Sequence, residues 1–241
     1  MTKRQRLVLS AAQTAQLSGT GRFDVLPNQQ HYLQRVLRLP VGAEFIAIAA
    51  GQWWRCQWQG DGATVQENLA NPRELTQVLR LAVALPKGSG FEEVVRQTVP
   101  LGIAELVPLV TARTLYKGTP KLERWQKIAD EAAEQSLRSQ VPVIQSPQTF
   151  DQWLPTVVAE QKFLAVPRLD VLHLLSQNLG ETVAIATGPE GGWTPAEEQQ
   201  AIAAGFGLVS LGRRVLTAVL APVVAAALVV AQWEHDETPL L

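Results

Sequence analysis

The chain has 241 residues, 46% of them hydrophobic and 18% charged, with a formal net charge of −1. That much apolar material excludes a disordered polymer, and 17 glycines beside 15 prolines without a repeat exclude a collagen-like one. One cysteine, Cys56, excludes a disulfide scaffold and a cysteine-rich zinc site and suits a reducing cytoplasm, while His31, His173 and His235 are too scattered to share a metal.

Behind the opening Met-Thr-Lys-Arg-Gln-Arg there is no apolar run of the kind a secretory signal carries. Residues 31–39 read as a short amphipathic helix ended by Pro40, with Tyr32, Val36 and Leu39 on one face and Arg35 and Arg38 nearer the other. Residues 44–49 and 52–58 read as strands separated by Gly51 and followed by turn residues Gly60, Asp61 and Gly62. The second strand carries Trp53, Trp54 and Trp58, either barrel core and rim or stacking platforms for bases, and Cys56 alternates with them as a small buried residue. Asn71-Pro-Arg-Glu reads as a linker, so two domains are expected, 1–72 and 73–241. Residues 1–75 hold eight Lys/Arg against five Asp/Glu, and the remainder thirteen against seventeen. A slightly basic first module suits phosphate contacts and equally suits ordinary surface variation.

After the linker the rhythm changes. Strands at 78–85, 105–110, 163–166, 182–187 and 208–211 alternate with helices at 92–99, 121–138 and 195–204, and a last helix runs to about Trp233. This alternation indicates an α/β domain with a mostly parallel sheet covered on both faces. Residues 215–231 are apolar apart from Thr217, but the run is at the short limit of a membrane span and contains Pro222, so it reads as a buried helix.

The strongest local signal is Thr187-Gly-Pro-Glu-Gly-Gly-Trp-Thr-Pro-Ala-Glu, which leaves a buried strand and opens a helix. Thr194 is an N-cap, Pro195 suits the first helical turn, and Glu197 completes a capping box. Gly188, Gly191 and Gly192 allow a ligand to approach the backbone, and the carboxyl end of a strand is where open α/β sheets bind one. No Walker A loop, Rossmann fingerprint or nucleophile elbow is present, and Lys87-Gly-Ser-Gly lacks the upstream glycine of a phosphate loop. The second signal is Ser210-Leu-Gly-Arg-Arg-Val-Leu, leading from the last strand into the apolar helix.

Two glycine-bearing loops at adjacent strand ends, backed by a buried terminal helix, resemble the SPOUT methyltransferases. More closely, the chain resembles the bacterial 16S ribosomal RNA uridine-N3 methyltransferase family over nearly its whole length. The carriers are His31…Val36-Leu-Arg, Leu85-Pro-Lys-Gly, Glu131-Ala-Ala-Glu-Gln-Ser-Leu-Arg-Ser-Gln-Val-Pro, Gly188-Pro-Glu-Gly-Gly-Trp-Thr and Leu211-Gly-Arg-Arg-Val-Leu. The resemblance implies a PUA-like RNA-binding β-barrel at 1–72, then a SPOUT parallel sheet at 73–241 with a C-terminal trefoil knot. It further implies a cytoplasmic homodimer, not a membrane protein, that uses S-adenosylmethionine to methylate N3 of one uridine in the 16S rRNA of the small ribosomal subunit. Matching positions put the cofactor against Thr187, Gly188, Gly191, Leu211, Gly212, Val215 and Leu216. Two departures stand out. Where the family has Leu-Arg-x-Glu-Thr-Ala the chain reads Leu216-Thr-Ala-Val-Leu-Ala, placing Thr217, Val219 and Leu220 at those positions, and Val99-Pro-Leu-Gly replaces Thr-Glu-Leu-Gly. A catalytically weakened RNA-binding relative of the same fold is therefore the alternative.

Uridine N3 carries a proton and lies on the pairing edge, so its methylation requires an unpaired base, a proton acceptor and alignment with the donor. Glu190 is the candidate acceptor, or else a carboxylate tying down its loop. Arg138 is a candidate for neutralising developing charge, or else a cation at a helix end. Gln135 is placed at the base edge or at a dimer contact. The RNA-binding candidates are Arg22, His31, Arg35, Arg38, Lys87 and Arg113, each of which also reads as a solvated surface group.

Overall fold

Short β-rich segments with turn residues between them dominate the first seventy residues. In the computed structural model, which describes residues 5–236, they form β1 (Arg6–Val8), α1 (Ala11–Thr20), β2 (Arg22–Asp24), α2 (Pro27–His31), β3 (Glu44–Ala49), β4 (Gln52–Trp58) and β5 (Gly62–Leu69). Residues 1–4 of the N-terminal run, with Lys3 and Arg4, lie outside the described residues. The sheet order is β1-β3-β4-β5-β2, with β1 parallel to β3 and the other pairs antiparallel. Phe23, Leu33, Phe45, Cys56, Trp58 and Ala63 form the centre of its core. Burial pushes the Cys56 thiol up to about 12, so it packs as an inert small group.

Residues 31–39 differ from the expected amphipathic helix. After α2 the chain widens into a π-helical turn at Tyr32–Val36, closed by Leu37 N donating to Tyr32 O at 2.9 Å. The wider turn rotates the faces, so Leu33 is fully buried and Val36 is 59% exposed. Arg38 then leaves the turn with φ 52. Arg35 and Arg38 are exposed, as the sequence suggests.

The second part of the chain lays down β6 (Val78–Ala84), α3 (Gly90–Thr98), β7 (Glu105–Val110), α4 (Leu122–Gln135), β8 (Val143–Ile144), β9 (Gln148–Thr149) and α5 (Phe150–Trp153). It continues through β10 (Gln161–Ala165), β11 (Thr182–Thr187), α6 (Pro195–Ala203), β12 (Gly207–Val209) and α7 (Leu220–Asp236). Every pairing in this sheet is parallel, in the order β12-β10-β11-β6-β7-β8 with β9 also on β7. The strands are apolar on both faces because both are covered. Trp153, Trp193 and Phe206 pack over Ala82, Leu164, Ala184 and Ala186 on one of them. α7 lies against α3, β6 and β11, burying Ala225, Ala226 and Val229. Of the apolar stretch 215–231, the residues from Leu220 on thus form a packed helix while Val215 stands exposed before it, and among the described residues no helix is long and apolar enough to cross a membrane.

By its contacts the chain divides into two units, Met1–Glu74 with Asp130–Val141, and Leu75–Ala129 with Pro142–Leu241. The first unit holds its detached segment through Glu74. Its Oε1 accepts from Arg138 Nε at 3.0 Å and Nη2 at 2.6 Å, while Oε2 accepts from Ser139 N at 2.8 Å and Gln140 N at 3.1 Å. Trp53 Nε1 donates to Arg138 O at 3.1 Å, and Asn71 Nδ2 to Leu137 O at 3.1 Å. The expected helix over 121–138 ends at Gln135, because Leu137 turns to φ 65 and brings Arg138 round to Glu74.

Two outcomes follow for this unit. Both partners of the Arg138–Glu74 pair are nearly buried, so removing the carboxylate takes this countercharge from a guanidinium held out of water. Glu74→Ala is expected to cost about 3–5 kcal/mol, read from urea unfolding. Glu134 accepts the Val8 amide at 2.8 Å, and burial, with Asp130 and Glu131 nearby, pushes its carboxyl up to about 7. The folded chain then holds a proton that the unfolded chain releases near 4.5, so this stability is full below that value and is lost as pH rises through about 7. Glu134→Gln keeps an oxygen for Val8 and should flatten the urea midpoint between about pH 5 and 8, ending more stable than wild type at the upper limit.

Candidate functional site

Because the strands of the larger sheet are parallel, the loops after β6, β11 and β12 all leave its carboxyl edge. The structure corrects one expectation here. The two glycine loops are not at adjacent strand ends, since β10 lies between β11 and β12. The loops beside that of β11 are instead those after β10 and β6, and Glu190 ties it to the latter by accepting the Lys87 amide at 2.9 Å.

Thr187 ends β11 fully buried, and its hydroxyl has no hydrogen-bond partner among the described residues. A buried hydroxyl left unpaired costs about 1–3 kcal/mol, so this one marks a place where a polar group belongs. Gly188 follows, against the indole of Trp193, where a Cβ would lie 3.2 Å from the ring. Trp193 is itself fixed, buried with Nε1 donating to Ala165 O at 3.0 Å at the end of β10. The capping box expected at α6 is present, Thr194 Oγ1 accepting from Glu197 N at 3.2 Å and Glu197 Oε2 accepting from Thr194 N at 2.8 Å.

In the second loop Ser210 Oγ accepts from Gly212 N at 3.2 Å and donates to Gly212 O at 3.0 Å. Gly212 sits at φ 130, a conformation that a side chain would strain. Leu211 and Leu216 are half-buried, and Val215 is 81% exposed. Thr217, one of the departures, caps the turn that leads into α7. Its Oγ1 accepts from Leu220 N at 3.1 Å and its carbonyl from Ala221 N at 2.9 Å. Val219 packs on Gly90, whose Cβ would meet Val219 Cγ2 at 2.9 Å, and Leu220 is 43% exposed.

The seven expected cofactor residues therefore fall into two loops on one edge of one sheet. The RNA candidates are divided. Arg22, His31, Arg35 and Arg38 are exposed in the first unit, Arg22 being 3.6 Å from Asp61, and Lys87 and Arg113 are exposed in the second. Arg138 is buried against Glu74, while Glu190 is exposed. Sequence reading missed the tie from Glu190 to Lys87 N, the reach of Glu197 Oε1 to Ala112 N at 2.9 Å, and the bonds from Arg113 to the carbonyls of Gly191 and Trp193. Among the described residues no group of three or more His, Cys, Asp or Glu side chains can hold a metal.

Residues 73–230 match the model of the RNA methyltransferase domain. A ribosomal RNA small subunit methyltransferase E from Synechocystis is 46% identical over 210 residues, 83% of this chain and 69% of that protein. The chain belongs to the ribosomal RNA small subunit methyltransferase E family. The Bacillus subtilis member is 29% identical over 239 residues, 91% of this chain and 93% of its own. The crystal structure of the methyltransferase E of Neisseria gonorrhoeae, bound to S-adenosyl methionine, is 25% identical with a TM-score of 0.81, covering 96% of this chain and 98% of that one. Across such distances the Gly188–Trp193 packing gives a local test. Gly188→Ala drives a Cβ into an indole that cannot withdraw without giving up Ala165, and should cost about 1–3 kcal/mol in urea unfolding.

Proposed function

We propose that the chain methylates N3 of one uridine in 16S rRNA of the small ribosomal subunit, with S-adenosylmethionine as donor. The observation that carries this reading is the buried, unpartnered Thr187 hydroxyl beside Gly188 and Gly191, in a chain of the methyltransferase E family. The residues fit the cofactor. Thr187 offers one polar atom, the peptide groups of Gly188, Gly191, Leu211 and Gly212 offer edge contacts, and Val215 and Leu216 offer apolar cover. Exposed Val215 is the kind of surface such a ligand covers. The donor supplies a sulfonium-bound methyl group.

The chain's own part is orientation and proton removal. Glu190 is held at one oxygen by Lys87 N, which leaves Oε2 to accept the N3 proton of an extruded uracil. Arg138 is the candidate for neutralising the uracil anion, and because it also holds Glu74 its replacement must be read beside a stability measurement. RNA contacts are assigned to Arg22, His31, Arg35, Arg38 and Lys87. The π-turn that carries Arg35 and presents Arg38 supports that assignment, since such turns gather at functional sites. Residues 1–72 serve as a PUA-like RNA-binding barrel and 73–241 as a SPOUT domain with a trefoil knot. The protein works as a homodimer in the cytoplasm, where the ribosomal substrate is. A second reading, a relative with weakened turnover, is favoured by apolar Leu220 standing exposed where the family carries a polar group.

Labelled methyl transfer to unmodified small subunits, followed by nucleoside mass mapping, tests both readings. N3-methyluridine formed at multiple turnover supports the first, and donor and RNA binding without transfer supports the second. Glu190→Ala is expected to lower kcat by about 10²-fold or more with donor binding retained. Unchanged turnover in Glu190→Ala removes the proposed acceptor.

A further inference from the structure

The segment after β7 contributes nothing to the expected cradle, yet it is bonded to it at two points. Residues 111–114 form a stiff turn, with Thr114 N donating to Thr111 O at 3.1 Å and Thr111 N donating to Thr114 Oγ1 at 2.8 Å. From this turn Ala112 N donates to Glu197 Oε1 at 2.9 Å, while Glu197 Oε2 takes Thr194 N and Oγ1 at 2.8 and 2.9 Å. One residue later, Arg113 Nη1 donates to Gly191 O at 2.9 Å and to Trp193 O at 3.0 Å. The arginine stem lies on the loop, so that a Cβ on Gly191 would meet Arg113 Cβ at 3.1 Å and Cδ at 3.3 Å.

These bonds pin two peptide planes from both sides. A trans peptide presents its carbonyl and its amide in opposite directions, so fixing both fixes the plane. In the 191–192 peptide the carbonyl is held by Arg113, and the amide of Gly192 donates to Pro189 O at 2.9 Å. In the 193–194 peptide the carbonyl is held by Arg113 and the amide by Glu197. Glycine at 191 and 192 gives the loop no stiffness of its own, so its conformation has to be imposed by neighbours. Bonds from a charged donor are the stronger kind, and one nitrogen here makes two of them.

We infer that Arg113 is a positioning residue that holds the glycine loop in its cofactor-receiving form and sets the affinity for the methyl donor, rather than a phosphate contact for RNA. The inference rests on the reading of Thr187, Gly188 and Gly191 as cofactor residues. An arginine spent on two backbone carbonyls would have to surrender them, or share its remaining donors, to take a phosphate.

The test uses the full chain and S-adenosylhomocysteine as probe, by calorimetry, with wild type, Arg113→Ala and Arg113→Lys. Arg113→Ala is expected to bind the probe about tenfold more weakly, and KM for S-adenosylmethionine should rise similarly while KM for RNA holds. Arg113→Lys keeps the charge on a side chain one bond shorter and should fall in between, whereas at a phosphate contact lysine would serve nearly as well. Amide exchange should quicken across 188–193 in Arg113→Ala while β6 and β11 keep their protection, which separates a loosened loop from a loosened fold. Unchanged probe affinity in Arg113→Ala overturns the inference, as does a loss confined to RNA binding with a salt slope lowered by about one. A wild-type chain that binds no probe overturns the cofactor reading itself. Unchanged exchange across 188–193 would then remove the loop-holding role separately.

Discussion

Parallel pairing from β12 through β8 brings the last residue of each strand, and the loop after it, to one edge of the sheet. Helices and aromatic side chains cover both faces, so backbone polar groups not used in the ladder are presented only at the edges. The consequences are visible along β11. Val183, Ala184, Ile185 and Ala186 are apolar and buried, and then Thr187 ends the strand with a hydroxyl that nothing among the described residues satisfies. The polarity of the site is concentrated where the ladder stops.

Around that edge the loops are held by side chains from elsewhere in the sequence rather than by their own residues. Glu190 reaches Lys87 after β6, Trp193 reaches Ala165 at the end of β10, and Glu197 and Arg113 connect the loop to the turn after β7. The ends of four strands are thereby coupled. The first unit solves a similar problem with one carboxylate, Glu74, which gathers Arg138, Ser139 and Gln140 about itself. A buried charge of this kind contributes little to net stability compared with an apolar replacement, but it admits only one arrangement of the segment that it holds.

Long, strongly patterned elements were legible in the sequence. The strands Glu44–Ala49, Gln52–Trp58, Glu105–Val110 and Thr182–Thr187 and the capped helix α6 lie where alternation, apolar runs and the Thr194 box put them. Less legible were β1 and β2, each three residues long, and α1, whose polar, alanine-rich sequence has a weak apolar stripe; its Ser10–Gln13 capping box was the available sign. The π-turn at 32–36 defeated a 3.6-residue count, because one extra residue per turn moves Val36 outward and Leu33 inward. The glycine loop between β11 and the Thr194 cap was recognisable as a strand-to-helix connection from its residues alone. Its braces were not, since Arg113 and Gly191 are far apart in sequence and a solvated arginine has the same local signature as a bracing one.

The order in which these elements leave the ribosome differs from the order in which they pair. The first unit needs residues 130–141, so it remains incomplete until more than fifty residues of the other unit have been synthesised. β6 emerges early, but its partner β11 follows roughly a hundred residues later. During synthesis the nascent chain must therefore carry an unpaired apolar strand edge for several seconds at ordinary elongation rates of about 5–20 residues per second.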